Sequence, residues 1–156
     1  MKSKTKGFTL IELLIMITVI GSVVYFGERF LSQSRARAHL RQETGILQNL
    51  IKIGQATAIT RQKTVVLCPS LDRKTCHNQW VGGYLLHIPS TGEKVSYQQR
   101  FHRNIQVHWS GVRGQNKLIF TPNLAQAMNN GTMEITKPGV GTQKLVLNRL
   151  GQVRLA

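Results

Sequence analysis

The sequence predicts an α+β protein in which one long N-terminal helix packs against a small antiparallel β-sheet domain. An apolar run of 20 residues, 8–27, follows a short basic segment at the start of the chain. Apolar residues then recur with a helical period to about residue 60, and short β-branched runs separated by turns fill the remainder. A length of 156 residues suits one compact domain plus an anchor.

The apolar run at 8–27 is long enough to cross a bilayer, because about 20 helical residues span the hydrocarbon core. A secretory signal peptide has a shorter apolar region of about 7–15 residues, with a small-x-small cleavage site close behind it. The nearest such site, Ala36-Arg37-Ala38, lies well beyond the run. We therefore predict a retained transmembrane segment over 8–27.

Residues 28–62 continue the helix as an amphipathic segment. Small and apolar residues recur at intervals of three, four and seven, which places them on one helix face. This apolar stripe consists of Ala36, Leu40, Leu47, Ile51, Gly54 and Ala58, and the basic residues that lie off it are Arg35, Arg37, Arg41 and Lys52. The stripe is expected to pack on the globular domain, with the helix ending between residues 60 and 63.

Residues 63–156 are expected to form the β-rich domain, with six or seven short strands. β-Branched and alternating apolar runs end at proline- and glycine-containing turns, which is typical of strands. The predicted strands lie at 64–67, 84–88, 105–109, 117–120 and 132–135, and a C-terminal hairpin joins 145–147 to 153–155. In that hairpin Leu145, Leu147, Val153 and Leu155 are expected to face inward and Arg154 outward.

The charge of the chain favours a polyanionic partner. It carries 21 Lys and Arg against 6 Asp and Glu, a formal net charge of +15. Loss of Lys2, Lys4 and Lys6 with a leader at 1–7 leaves +12. A field of this size attracts nucleic acid, acidic glycans or anionic lipid headgroups.

The junction Lys6-Gly7-Phe8-Thr9-Leu10-Ile11-Glu12 resembles the type III signal of type IV pilins and pseudopilins. The resemblance implies a cytoplasmic leader, cleavage after Gly7 by a prepilin peptidase, and N-methylation of Phe8. It also implies an inner-membrane anchor with a periplasmic C-terminal domain, and later assembly with major and minor pilins into a surface pilus. Glu12 would then pair with the N-terminal amine of a neighbouring subunit; the alternative is a glutamate that snorkels to the membrane interface.

Two further segments resemble the GspH/FimT group of minor pilins and pseudopilins, which have the pilin fold. The first runs from Val66-Leu67-Cys68-Pro69-Ser70 through Cys76 to Trp80-Val81-Gly82-Gly83-Tyr84. The second is Gly151-Gln152-Val153-Arg154, which is similar to the Gly-Arg-x-Arg motif of DNA-binding members. This chain keeps the second arginine of the motif, and Arg149 lies close to the position of the first.

These resemblances and the charge suggest double-stranded DNA as the partner. Phosphate contacts dominate the affinity of such proteins, and no recognition helix is evident in the basic C-terminal region, so sequence-independent binding is expected. The candidate DNA-binding residues are Arg149, Gly151, Gln152 and Arg154, extended by Lys144, Arg100, Arg103, Arg113 and Lys117. For each residue of the extension, an ordinary solvated surface charge is the alternative.

The two cysteines, Cys68 and Cys76, are expected to form a disulfide, because the resemblance places them in an oxidising compartment. A metal site with His77 and His87 is the alternative, but the spacings do not match those of zinc sites. No metal or cofactor is therefore expected. Trp80 and Trp109 are interpreted as core or sheet-face aromatics and not as platforms for stacked bases.

Two functions remain open on the sequence. One is a minor type IV pilin that binds double-stranded DNA for uptake in natural transformation. The other is a structural minor pilin or type II secretion pseudopilin that primes filament assembly without touching DNA. The sequence contains no nucleotide loop, paired catalytic carboxylates or serine triad motif, so an enzyme is not expected.

Overall fold

The computed structural model describes residues 9–80, 82–98, 101, 104–111, 116–123 and 129–156, without the side chains of 27–30 and 98. Within these residues one helix precedes eight strands. They are α1 (Leu10–Arg61), β1 (Val65–Ser70), β2 (Gly83–Ile88), β3 (Glu93–Gln98), β4 (Gln106–Gly111), β5 (Leu118–Phe120), β6 (Gly131–Lys137), β7 (Gly141–Leu147) and β8 (Val153–Leu155). The predicted α+β class is confirmed.

The chain divides into two compact units, 1–35 and 36–156. In the first unit, α1 contains a stretch that is long and apolar enough to cross a membrane by length and composition, with a mean hydropathy of 2.2. None of that stretch is buried within the protein. The exposed apolar side chains of this stretch would be unfavourable in water and favourable in the hydrocarbon core of a bilayer. This agrees with the predicted anchor.

The start of α1 is fixed by a capping box between Thr9 and Glu12. The Thr9 N–H donates to Glu12 Oε2 at 3.1 Å, and the Glu12 N–H donates to Thr9 Oγ1 at 3.3 Å. The Thr9 hydroxyl also donates to Glu12 Oε2 at 3.0 Å. This exchange satisfies backbone donors that the first turn of a helix leaves without intrahelical partners.

Within its described residues, the second unit contains two four-stranded sheets in which every strand pair is antiparallel. The first sheet has the order β3-β2-β1-β5, and the second has the order β4-β6-β7-β8. Leu47 and Ile51 of α1 are fully buried, and they belong to one core with the inner faces of both sheets. The predicted apolar stripe of α1 therefore packs against the β-sheet domain.

Gly54 permits close approach of α1 to the first sheet, and its replacement by alanine should destabilise the domain. A Cβ atom there would lie 2.6 Å from two ring atoms of the fully buried Phe120. Overpacking of this kind costs about 1–3 kcal/mol, which should exceed the gain of about 1 kcal/mol in helix propensity. We expect a lower free energy of unfolding for Gly54→Ala in a denaturant titration.

Gly45 provides the matched control, since it lies in the same helix and a Cβ atom added there would have no neighbouring atom within 4 Å. Gly45→Ala should therefore raise the free energy of unfolding by up to about 1 kcal/mol through propensity alone. Equal shifts of the same sign in both variants would contradict the proposed contact between Gly54 and Phe120.

Candidate nucleic-acid interface

The C-terminal hairpin joins β7 to β8 through a short loop closed by four hydrogen bonds. The Asn148 N–H donates to the Gln152 carbonyl at 3.1 Å, and the Gly151 N–H donates to the Asn148 carbonyl at 2.9 Å. The side chains repeat this link, because Asn148 Nδ2 donates to Gln152 Oε1 at 2.9 Å and the Gln152 N–H donates to Asn148 Oδ1 at 2.8 Å. The loop that carries Arg149 is thus held in one conformation.

Gly151 is favoured in this loop by its backbone conformation, and a side chain there would also displace a neighbouring residue. Its φ of 77° lies in the left-handed region that side chains with a Cβ rarely adopt. A Cβ would also collide with the amide nitrogen of Gln55 on α1, which donates a hydrogen bond of 2.5 Å to the Gly151 carbonyl. The contact with Gln55 connects the hairpin loop to the helix, so Gly151 contributes geometry and offers no side chain for binding.

Arg149 and Arg154 are both exposed on this hairpin. Arg149 lies at the loop, whereas Arg154 lies on β8 opposite Val146 of β7. Leu145 and Leu147 are buried, so Val146 and its cross-strand partner Arg154 occupy the outer face of the second sheet. The structure therefore places the two predicted arginines on one hairpin, with the Arg154 side chain facing outward as expected. Gln152 is also exposed, but its amide closes the loop.

The inward-facing side of the hairpin is only partly buried. Leu145 and Leu147 are buried and Val153 is partly buried, but Leu155 is 57% exposed. Leu155 lies opposite the buried Leu145 on the edge strand β8, where no further strand covers it within the described residues. The alternating pattern therefore predicts the inward orientation of Leu155 correctly, but at the edge of the sheet its side chain remains exposed to solvent.

Lys144 lies on the same outer face, where it forms an ion pair that the sequence pattern does not reveal. Its Nζ is 2.7 Å from Oε1 of Glu134, directly across the β6–β7 pair. The hydrogen bond from Lys144 and its positive charge hold the pKa of Glu134 below its ordinary value. In this structure Lys144 is engaged by a carboxylate, unlike Arg149 and Arg154, which form no ion pair with a described carboxylate.

Within the described residues, none of the remaining candidate cations lies on this hairpin. Lys117 is exposed just before β5 in the other sheet, near His87. Burial, and secondarily the charge of Lys117, lower the pKa of His87. Arg100, Arg103 and Arg113 lie outside the described residues, as do Gly7 and Phe8 of the predicted cleavage site.

Cys68 and Cys76 form the predicted disulfide. Cys68 lies in a small apolar cluster with Val66 and Leu85 on the face of the first sheet away from α1, and the bond ties the loop after β1 to this face. A ring nitrogen of His87 lies within 4.8 Å of both sulfurs. Because the sulfurs are bonded to each other, neither is a thiolate available to a metal.

Trp80 and Trp109 belong to the hydrophobic core, with 5% and 7% of their surfaces exposed. They also contribute to the wall of a cleft of about 580 Å³ beside β4. The described residues of that wall include no lysine or arginine, and its titratable side chain is His108. The interpretation of both tryptophans as core aromatics is confirmed.

A long helix with an apolar, membrane-length beginning and an amphipathic continuation packed on antiparallel sheets defines a type IV pilin-like protein. The family model described as Type II transport protein GspH matches residues 44–151, which is more than half of the chain. The chain therefore belongs to the GspH family of minor pilins and pseudopilins. Among curated proteins, none matches it significantly.

The fold is also similar to that of the type IV minor pilin FimU of Pseudomonas aeruginosa strain PAO1, seen in two crystal forms. In space group P65 the TM-score is 0.53 at 14% identity, covering 77% of this chain and 91% of FimU. In space group P21 the TM-score is 0.55 at 14% identity, covering 81% and 92%. At this identity the likeness concerns the fold, and the predicted pilin fold is confirmed.

Proposed function

We propose that the chain is a minor type IV pilin that binds double-stranded DNA without sequence specificity, for uptake in natural transformation. The observation that carries the proposal is the exposure of Arg149 and Arg154 on one pre-organised hairpin of a strongly basic chain. Arginine side chains bind phosphate oxygens with two parallel hydrogen bonds, and such contacts carry no sequence information. The function therefore needs an open cationic surface and no element inserted into a groove.

In this proposal the two parts of the chain have separate tasks. The apolar part of α1 anchors the subunit in the inner membrane after prepilin peptidase removes residues 1–7, and it later packs among other pilins in the filament. The β-sheet domain lies on the periplasmic side and grips the DNA backbone. Retraction of the pilus then pulls the bound duplex inward.

The direct test is a salt titration of the full chain, in a non-ionic detergent, with a fluorescent DNA duplex. Each phosphate neutralised by the protein should contribute about −0.9 to the slope of log affinity against log salt concentration. A few contacts predict a slope between about −2 and −4, and an unrelated duplex should compete equally well. Affinity that is insensitive to salt would contradict phosphate binding.

A deletion strain separates this function from filament priming. Loss of DNA uptake with a normal number of pili supports the DNA-binding proposal. Loss of pili or of secretion, together with a chain that does not bind duplex, supports the structural alternative.

A further inference from the structure

We infer that Lys144 can bind a DNA phosphate and that its ion pair with Glu134 competes with this binding. The ion pair would thereby limit the affinity of the outer face of the second sheet for DNA. The inference rests on the proposed DNA binding and adds a residue that restrains it. Lys144 Nζ lies 2.7 Å from Glu134 Oε1, a distance typical of a charge-assisted hydrogen bond. A DNA phosphate must therefore compete with this carboxylate for the ammonium group.

The strand register places the pair beside the proposed arginine contact. Glu134 and Lys144 face each other across β6 and β7, and Val146 faces Arg154 across β7 and β8. Lys144 and Val146 are two residues apart, so their side chains lie on the same face of the sheet. Lys144 is thus a diagonal neighbour of Arg154, at a backbone separation of about 7–8 Å.

Glu134 is the acidic member of this row of side chains. On its other side His108 of β4 lies directly opposite, close enough for its charge to act on the carboxylate. Negative charge at Glu134 therefore repels a phosphate that approaches Arg154 and also occupies the lysine next to it. Both effects lower the affinity for a polyanion, but only the second depends on Lys144.

The ion pair is open to exchange. The side chains of Lys144 and Glu134 are 53% and 39% exposed, so a phosphate can reach both without unfolding the sheet. Exposed pairs of this kind are weak in water. Replacement of Glu134 by glutamine should therefore free Lys144 for phosphate while keeping the size of the side chain.

A double-mutant cycle on the full chain in non-ionic detergent tests this with the duplex and salt titration described above. The four proteins are the wild type, Glu134→Gln, Lys144→Gln and the double variant. We expect Glu134→Gln to raise the affinity by about threefold to tenfold and to steepen the salt slope by about 0.9, the contribution of one additional phosphate contact. Lys144→Gln should reduce the affinity several times more in the Glu134→Gln background than in the wild type.

Glu93→Gln is the matched control, because Glu93 forms an exposed ion pair with Arg61 near the first sheet and its loss changes the net charge equally. It should leave the salt slope unchanged. If Glu134→Gln raises the affinity equally with and without Lys144, or leaves the slope unchanged, the inference is overturned while the DNA-binding proposal stands. If the wild type binds no duplex, the proposed function fails and the inference fails with it; thermal unfolding of each variant verifies the fold.

Discussion

Replacement of Arg149 and Arg154 together by alanine should weaken the binding of a DNA duplex by roughly a hundredfold. Each hydrogen-bonded contact to a charged group contributes about 1.5–3 kcal/mol, so the loss of two costs at least about 3 kcal/mol. Every 1.4 kcal/mol is a factor of about ten in affinity. The salt slope should also become shallower by about 1.8, because two phosphates are no longer neutralised. Gel-shift titrations at several salt concentrations measure both quantities.

The control must remove the same charge from a different surface. Arg37 and Arg41 are exposed on α1, off the stripe that packs on the sheets, and the double replacement by alanine also lowers the net charge by two. We expect this variant to lose only a few-fold in affinity, through the long-range field. Equal losses in the two double variants would mean that overall charge, and not the hairpin, binds the DNA.

Periodicity is sufficient to predict the helix and its buried face. Leu40, Leu47 and Ile51 are buried at the predicted spacing, and α1 ends at Arg61, within the predicted range. The signal is strong because a long helix repeats it over many turns. The proposed boundaries of the leader and of the transmembrane segment remain predictions.

The strands are harder to predict where local preferences disagree with their environment. β3 is absent from the predicted strands because Glu93–Gln98 is mostly polar, which an edge strand of a sheet tolerates. Pro69 is expected from the sequence to follow β1 but lies within it. Its missing N–H costs little there, because β5 pairs only with Val65 to Leu67 and stops before the proline.

The candidate interface is predictable in its residue types but not in its contacts. A turn pattern between two alternating runs is enough to place Arg154 on the outer face of a hairpin. The contact of Gln55 with Gly151 joins residues 96 positions apart, and the pairing of Glu134 with Lys144 depends on strand register. A single sequence contains no direct signal for either contact.

Glu12 has a local role that the structure shows, and its role in filament assembly remains a prediction. The resemblance to pilins implies that its charge pairs with the N-terminal amine of a neighbouring subunit. The structure adds a local role, since the carboxylate accepts the Thr9 N–H in the capping box at the start of α1. A variant that keeps one role and loses the other is therefore needed.

Glu12→Gln is such a variant. We expect it to be incorporated poorly into the filament while its helix remains intact. Glutamine at the third helical position still accepts the Thr9 N–H, as in natural capping boxes, but it carries no charge. Loss of one partner from an ion pair shielded from water costs about 3–5 kcal/mol, so incorporation should fall by about a hundredfold or more. Immunoblots of sheared pili against whole membranes measure the incorporated fraction.

Thr9→Ala is the complementary control, because it removes the hydroxyl of the capping box and keeps the Glu12 charge. Loss of the cap should cost about 1 kcal/mol of helix stability and leave most incorporation in place. If Thr9→Ala fails to assemble and Glu12→Gln assembles normally, the cap is the essential contribution of this turn, and the charge of Glu12 has no part in docking to a neighbour. The opposite result assigns assembly to the carboxylate charge, since both variants start from the same helix terminus and differ in whether that charge survives.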